Sequence, residues 1–475
     1  MKRAFYLLSS LMLVFTTSCV DSLEEYNVDA KRATVVPGVT LVTTAERAIA
    51  RTVTSTNVNL NPFRFYVQYW TETTYTDETN YDIQTRQINN AFWNALYLNS
   101  LGNLNEARRV ITSEATADKV KANQLACVEI LSVYTWKTLV DTYGNVPYTE
   151  ALDFTKPQPA YDDAKTIYAS LFTRLDAALA SLDPTAAGLG SADVIYRGDI
   201  AKWRKFGNSL KLRMALTIAD DDVAKARTAA VQAAPGVFTS NADNAEFAFL
   251  SSVPNTNPLY EDLVNSGRQD FVGASPFIDV LNTLQDPRRS YYFKEAAPGR
   301  FIGGVYGALN DYDDFSAPGA ALEDPTLPGV LLSYSEVEFL LAESVERGFA
   351  VGGTAASHYN AAVTASILHA GGTQAAAATY LARPTVAYAT ATGTYKQKIG
   401  VQKWIALYDQ PVVAWTEWRR LDSPSLVKPA NALSDIPKRF TYPTPELNQN
   451  GANAKSAGSA IGGDVVTTKI FWDKF

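Results

Sequence analysis

The sequence predicts a mainly α-helical protein with one loop-rich, partly β insertion. Apolar residues recur at helical spacing through most of the chain, and the periodic segments follow one another as helix pairs of roughly tetratricopeptide size. Residues 235–332 break this pattern with Pro, Gly, Asn and Tyr around short apolar pieces such as Glu246–Leu250. No fixed-period repeat is evident, so any repeats are divergent. With 475 residues, 47% hydrophobic and 19% charged, the chain has the means to bury a large core.

Residues 87–112 and 117–141 read as a pair of long helices, followed by a turn-rich loop from Asp141 to Tyr148. Cys127 lies on an apolar helical stripe with Val120, Val128, Leu131 and Tyr134, which marks it as a buried structural thiol rather than a nucleophile. In 162–182, Tyr168, Leu171, Phe172, Leu175, Ala178, Leu179 and Leu182 share one face. Asp199 is placed to cap a helix carrying Ile200, Trp203, Phe206, Leu210 and Met214. Ser333 and Glu336 fit a capping box for a helix that Gly348 ends. A further helix spans about 354–370, and a last pair spans about 395–409 and 411–420, with Pro411 suited to a first turn. Trp203, Trp404, Trp415 and Trp418 all fall within helical patterns and are expected in the core.

Met1-Lys2-Arg3, an apolar run from Ala4 to Phe15 and then Thr16-Thr17-Ser18-Cys19 have the layout of a secretory leader. The run is shorter than the roughly 20 residues a membrane-spanning helix needs. Small residues before a cysteine suggest a bacterial lipobox, in which Cys19 is acylated and becomes the mature N-terminus; a plain leader with an incidental cysteine is the alternative. The expected organisation is a signal peptide over 1–18, a lipidated tether over 19–39 and one domain over 40–475, anchored to a membrane without crossing it.

Chemistry is mostly excluded by what is missing. Forty-two basic against 49 acidic residues give a net charge of −7, which argues against nucleic acid as a partner. No nucleotide-binding loop, nucleophile elbow or zinc-protease motif occurs. The two histidines, His358 and His369, are separated by about 16 Å on one helix, too far to share a metal. No metal, no cofactor and no catalytic residues are therefore expected. A glycosidase needs only two carboxylates, so it stays as an alternative, with Asp77/Glu78, Asp162/Asp163, Asp220 to Asp222 and Asp313/Asp314 as candidates by type.

Four segments carry a family likeness. They are Trp203–Leu216, Asp141–Leu152 with Tyr-Gly-Asn-Val-Pro-Tyr, the pair Gln402–Tyr408 and Ala414–Arg420, and Pro437–Asn450. In composition and order they resemble the SusD/RagB family of nutrient-binding outer-membrane lipoproteins, in a SusD-like branch. The acidic run after Cys19, with Asp21, Glu24 and Glu25, resembles the surface-export signal of Bacteroidetes lipoproteins. The resemblance implies four divergent tetratricopeptide-like helix pairs with loops and small strands over one side. It also implies a surface-exposed binding protein, not an enzyme, that passes a nutrient to a SusC-like TonB-dependent transporter. A glycan oligomer is the first choice of ligand and a peptide the second; a helical scaffold binding only protein is the rival reading.

Two aromatic clusters suit a sugar, whose apolar ring face packs on aromatics while polar groups take its hydroxyls. One holds Tyr66, Tyr69, Trp70, Tyr75 and Tyr81; the other holds Tyr291, Tyr292, Phe293, Phe301, Tyr306, Tyr312 and Phe315. Because the resemblance implies a binding face on loops opposite the helical pairs, the expected contacts are Trp70, Tyr75 and Tyr81 with Asn80 as hydroxyl partner, faced by Tyr306 and Tyr312.

Overall fold

A computed structural model describes residues 36–475 of the protein. The leader, Cys19 and the acidic run after it lie outside the described residues. The chain from Gly38 to Phe475 forms one unit. Its first helix, α1 (Gly38–Thr54), was not expected: it is rich in Thr and Val, which favour strands, yet Val42, Ala45, Ile49 and Val53 line one buried face. Packing decides there over propensity.

The long helix expected at 87–112 is a continuous helical run in three parts. α2 (Ile88–Asn94) passes through a π-helical stretch, Ala95–Gly102, into α3 (Asn103–Ser113). Its partner is α4 (Asp118–Tyr143), buried almost all round in its second half, with Cys127 in the core. Burial pushes the Cys127 thiol well above its ordinary value, as expected of a structural thiol. α5 (Ala164–Ser181) and α6 (Ile200–Thr217) start where Asp163 and Asp199 accept the amides of Thr166 and Lys202. α7 (Val223–Ala233) and α8 (Ser275–Leu284) follow. Then come α9 (Tyr334–Glu346), α10 (Ala355–His369), α11 (Gln374–Leu381), α12 (Tyr395–Ala406) and α13 (Pro411–Leu421).

Packing follows the sequence pairs: α3 on α4, α4 on α5, α6 on α7, α9 on α10 and α12 on α13. Trp203, Trp404, Trp415 and Trp418 are all buried. Only half of the expected capping box at Ser333 forms. Ser333 Oγ accepts the Glu336 amide at 3.3 Å, but the Glu336 carboxylate turns inward to Arg213, with both contacts at 2.6 Å. A buried guanidinium outbids the local cap.

The strands are short and antiparallel. β1 (Trp70–Glu72) pairs with β5 (Phe271–Gly273), β2 (Val146–Pro147) with β3 (Tyr161–Asp162), and β4 (Ala245–Phe247) with β6 (Gly329–Leu332). The first pair matters most, because it joins the region near residue 70 to the insertion, with Trp70 opposite Gly273 and Glu72 opposite Phe271. The insertion then folds back onto the same strand, the Gly273 amide donating to Ser316 and its carbonyl accepting the Gly304 amide, each at 2.8 Å.

Candidate functional site

The loop after β1, residues 73–87, is tightly wound. Tyr75, Tyr81 and Gln87 all take positive φ, at 54°, 70° and 50°, a conformation that side chains other than glycine rarely adopt. Such strain persists only where surrounding contacts fix it, and it concentrates at functional loops. Asn80 supplies one restraint, its Nδ2 donating to Thr76 O at 2.8 Å and to Gly307 O at 2.9 Å. Gly307 has φ 74° and leaves no room for a side chain, since a Cβ there would meet Pro429 Cβ at 2.3 Å. Leu433 N completes the junction by donating to Asn80 O at 2.9 Å.

A second restraint lies beneath the loop. Glu72 and Glu78 are both buried. Glu72 Oε2 accepts Thr79 N at 3.1 Å and Thr79 Oγ1 at 2.8 Å, while Glu78 meets Arg86 Nε at 2.5 Å. Burial, followed by the hydrogen bond and charge of Glu78, pushes the Glu72 carboxyl up to about 9. At neutral pH Glu72 thus keeps its proton, and the acid that meets Arg86 is Glu78.

The six expected ligand contacts separate sharply. Only Tyr75 is well exposed, at 64%. Trp70 is a core residue and not a surface platform. It has no exposed area, donates from Nε1 to Tyr408 Oη at 2.6 Å, and stacks on Phe271 with centroids 5.5 Å apart. Tyr81 is buried against Tyr66, and burial pushes its phenol up to about 12. Tyr306 is buried with its hydroxyl on Phe65 O at 2.7 Å. Asn80 spends both amide hydrogens on the loop junction, so it is a fastener rather than a free hydroxyl partner. Tyr312 is partly exposed, but it does not line the cleft that Tyr75 lines.

That cleft has a volume of about 370 Å³ and is lined by Thr56, Asn57, Asn59, Tyr75, Arg86, Asp262, Arg268 and Asp270, among others. Two guanidiniums approach the Tyr75 ring, Arg86 at 6.0 Å and Arg268 at 5.9 Å from its centroid. Neither is a free cation: Arg86 pairs with Glu78, and Arg268 pairs with Asp270 at 2.5 and 2.9 Å. Asp262 accepts Thr56 Oγ1 at 2.8 Å, and burial pushes its carboxyl above the usual range. Among the described residues, the side-chain amide hydrogens of Asn57 and Asn59 find no protein acceptor. The result is a cleft whose two cations are both paired, with one exposed aromatic face and several polar groups. Sequence reasoning missed Asn57, Asn59, Arg86 and Arg268. The stretch Thr54–Asn59, polar at every position but Val58, was a signal for the first two, but the approach of Arg268 is visible only once β1 pairs with β5.

The conspicuous Arg residues of the late motifs serve the core. Arg419 lies 3.5 Å over the Trp415 ring and donates to Asp141 O and Lys438 O. Arg420 grips Glu343 through both nitrogens at 2.6 Å and also reaches Glu417 at 2.5 Å. Arg439 donates to Tyr143 O and pairs with Asp464. His358 contacts Glu338 at 2.6 Å, and no group of three metal-ligating side chains occurs among the described residues.

A family profile described as SusD-like, "starch-binding associating with outer membrane", matches residues 30–443. The chain belongs to the SusD-like family. Its structure superposes on a chitin-binding protein with a TM-score of 0.81 at 27% identity, covering 92% of this chain and all 100% of the other. A chitin-binding SusD homologue from Flavobacterium johnsoniae gives 0.78 at 25% identity, over 91% of this chain and 98% of that one. A SusD homologue from Bacteroides uniformis gives 0.75 at 27%, over 92% and 99%. No curated protein matches the chain. Among the described residues, no helix is long and apolar enough to cross a membrane.

Proposed function

We propose that this SusD-like protein is a surface-exposed, lipid-anchored binding protein that captures a glycan oligomer and delivers it to a SusC-like TonB-dependent transporter. Family membership and the two chitin-binding neighbours support carbohydrate binding. The observation that carries the site is the exposed ring of Tyr75, held in a polar cleft whose two arginines are both paired. A neutral polyhydroxylated ring matches that surface: its apolar face covers Tyr75, and Asn57, Asn59 and the cleft acids take its hydroxyls. Catalysis forms no part of this role.

Calorimetric titration with N-acetylglucosamine oligomers and with malto-oligosaccharides tests the ligand class. Saturable heat with one series, lost in Tyr75→Ala, is the expected result. Binding of a peptide library with no response to either sugar series would favour the peptide reading. For the anchor, Cys19→Ala should release the protein from membranes of intact cells, and unchanged retention would rule the lipid out. A pull-down of the detergent-solubilised native protein should recover a barrel of much larger mass.

A further inference from the structure

A pocket of about 260 Å³ lies among the first helices and shares no lining residue with the Tyr75 cleft. One side of it is an ion cluster. Glu129 on α4 accepts Arg108 Nη2 from α3 on one carboxylate oxygen and Arg174 Nε from α5 on the other. Arg174 Nη1 also donates to the Tyr148 hydroxyl at 2.8 Å, and the Tyr148 ring stands edge-on to Trp136 with centroids 4.9 Å apart.

Tying three helices together accounts for Glu129 and one edge of each arginine, but not for the rest. Two guanidiniums face one carboxylate, which leaves one positive charge. Among the described residues, Nε and Nη1 of Arg108 and Nη2 of Arg174 donate to no protein acceptor. The nearby acids are engaged elsewhere: Glu106 with Arg109, Glu150 with Lys156, and Asp162 with the amides of Tyr148 and Thr149. Both arginines keep part of their side-chain surface open, 38% and 25%. They touch opposite oxygens of the same carboxylate, so they stand side by side.

We propose that this pocket binds a sugar acid, with the carboxylate taken by Arg108 and Arg174. The planar guanidinium fork matches a carboxylate in charge and shape. A ligand carboxylate there closes a ring of alternating charge with Glu129. Tyr148 and Leu152, both half-buried, offer apolar surface to the sugar ring, and Asn105 supplies a polar group for its hydroxyls. The volume falls just below the roughly 300 Å³ at which pockets for larger ligands begin, which suits one ring rather than a chain.

The test is calorimetric titration of the full chain with glucuronate, glucose and inorganic phosphate at one ionic strength. Glucuronate should bind, with glucose and phosphate at least about tenfold weaker, the effect of losing charged hydrogen bonds or the planar fit. Arg108→Gln should weaken glucuronate by about tenfold or more while leaving the unfolding midpoint in place. Should that variant unfold, Arg108→Lys keeps a cation on Glu129 without the fork, and the same drop read there decides the question. Absence of glucuronate binding, equal binding of glucose or phosphate, or undiminished affinity in the folded Arg108 variant would overturn the assignment.

Discussion

The Arg420 network and the Tyr75 cleft are built from the same residue types and do opposite things. In the first, Arg420, Glu343, Glu417 and Lys403 lie across α9, α12 and α13 with almost no exposed side-chain area, and every charge has a partner. Burial alone would push the Glu417 carboxyl up, yet Arg420 and Lys403 together hold it below its ordinary value. In the second, Arg86 and Arg268 meet Glu78 and Asp270 through Nε while an exposed ring lies beside them. A cation with all its neighbours inside the core maintains shape. A paired cation beside an exposed ring leaves a surface for something else. The late motif Trp415-Thr-Glu-Trp-Arg-Arg420 was conspicuous in the sequence, but it belongs to the first kind.

Breaking the core network should give the largest effect. Arg420→Ala leaves Glu343 and Glu417 buried without their principal cation, a loss of about 3–5 kcal/mol of stability. Chemical denaturation should show a lower midpoint at the same slope. A change under 1 kcal/mol, the scale of exposed ion pairs, would remove the distinction between the two regions.

Trp70 and Tyr75, five positions apart in sequence, set the sharpest contrast. Trp70→Ala empties a fully buried site and leaves Tyr408 Oη without the indole donor, so about 3–5 kcal/mol of stability should go. Tyr75→Ala removes an exposed ring at a strained φ, so the unfolding midpoint should stay within the range of surface substitutions, about 0.5 kcal/mol. Its effect belongs in binding: about 2 kcal/mol, or roughly 30-fold in affinity for the cognate oligosaccharide. Equal stability losses in the two variants would place Tyr75 in the core with its neighbours.

That contrast also marks how far the sequence was legible. Helix pairs, the cap at Asp199 and the buried tryptophans follow from local periodicity and end chemistry, and the structure has them where expected. α1 was missed because its β-branched residues mask an amphipathic face. The site was only half readable. An aromatic-rich loop announces itself, but alternation says nothing about which ring points outward when the strand it follows is buried on both faces. Trp70 went inward because β1 is covered on both sides. Arg268 reached Tyr75 because β5 returns from nearly 200 residues away, a contact no local pattern encodes.

A last contrast separates the regions by pH. In the Arg420 network the acids are held ionised by cations, whereas Glu72, under the cleft, keeps a proton up to about pH 9. The unfolded carboxyl titrates near 4.3. Between those values the folded chain binds more protons than the unfolded one, so stability falls as pH rises through that window. One extra proton makes the slope at most about 1.4 kcal/mol per pH unit. Glu72→Gln supplies a permanent neutral donor in nearly the same shape, and its amide keeps an acceptor for Thr79. The variant should therefore match the wild type near pH 4 and lose less stability on the way to pH 9, as read from urea midpoints along the pH series. Arg420→Ala should leave that difference in slope unchanged. A wild type and Glu72→Gln that decline in parallel would mean that Glu72 is ionised in the folded state and that its proton plays no part in holding the loop.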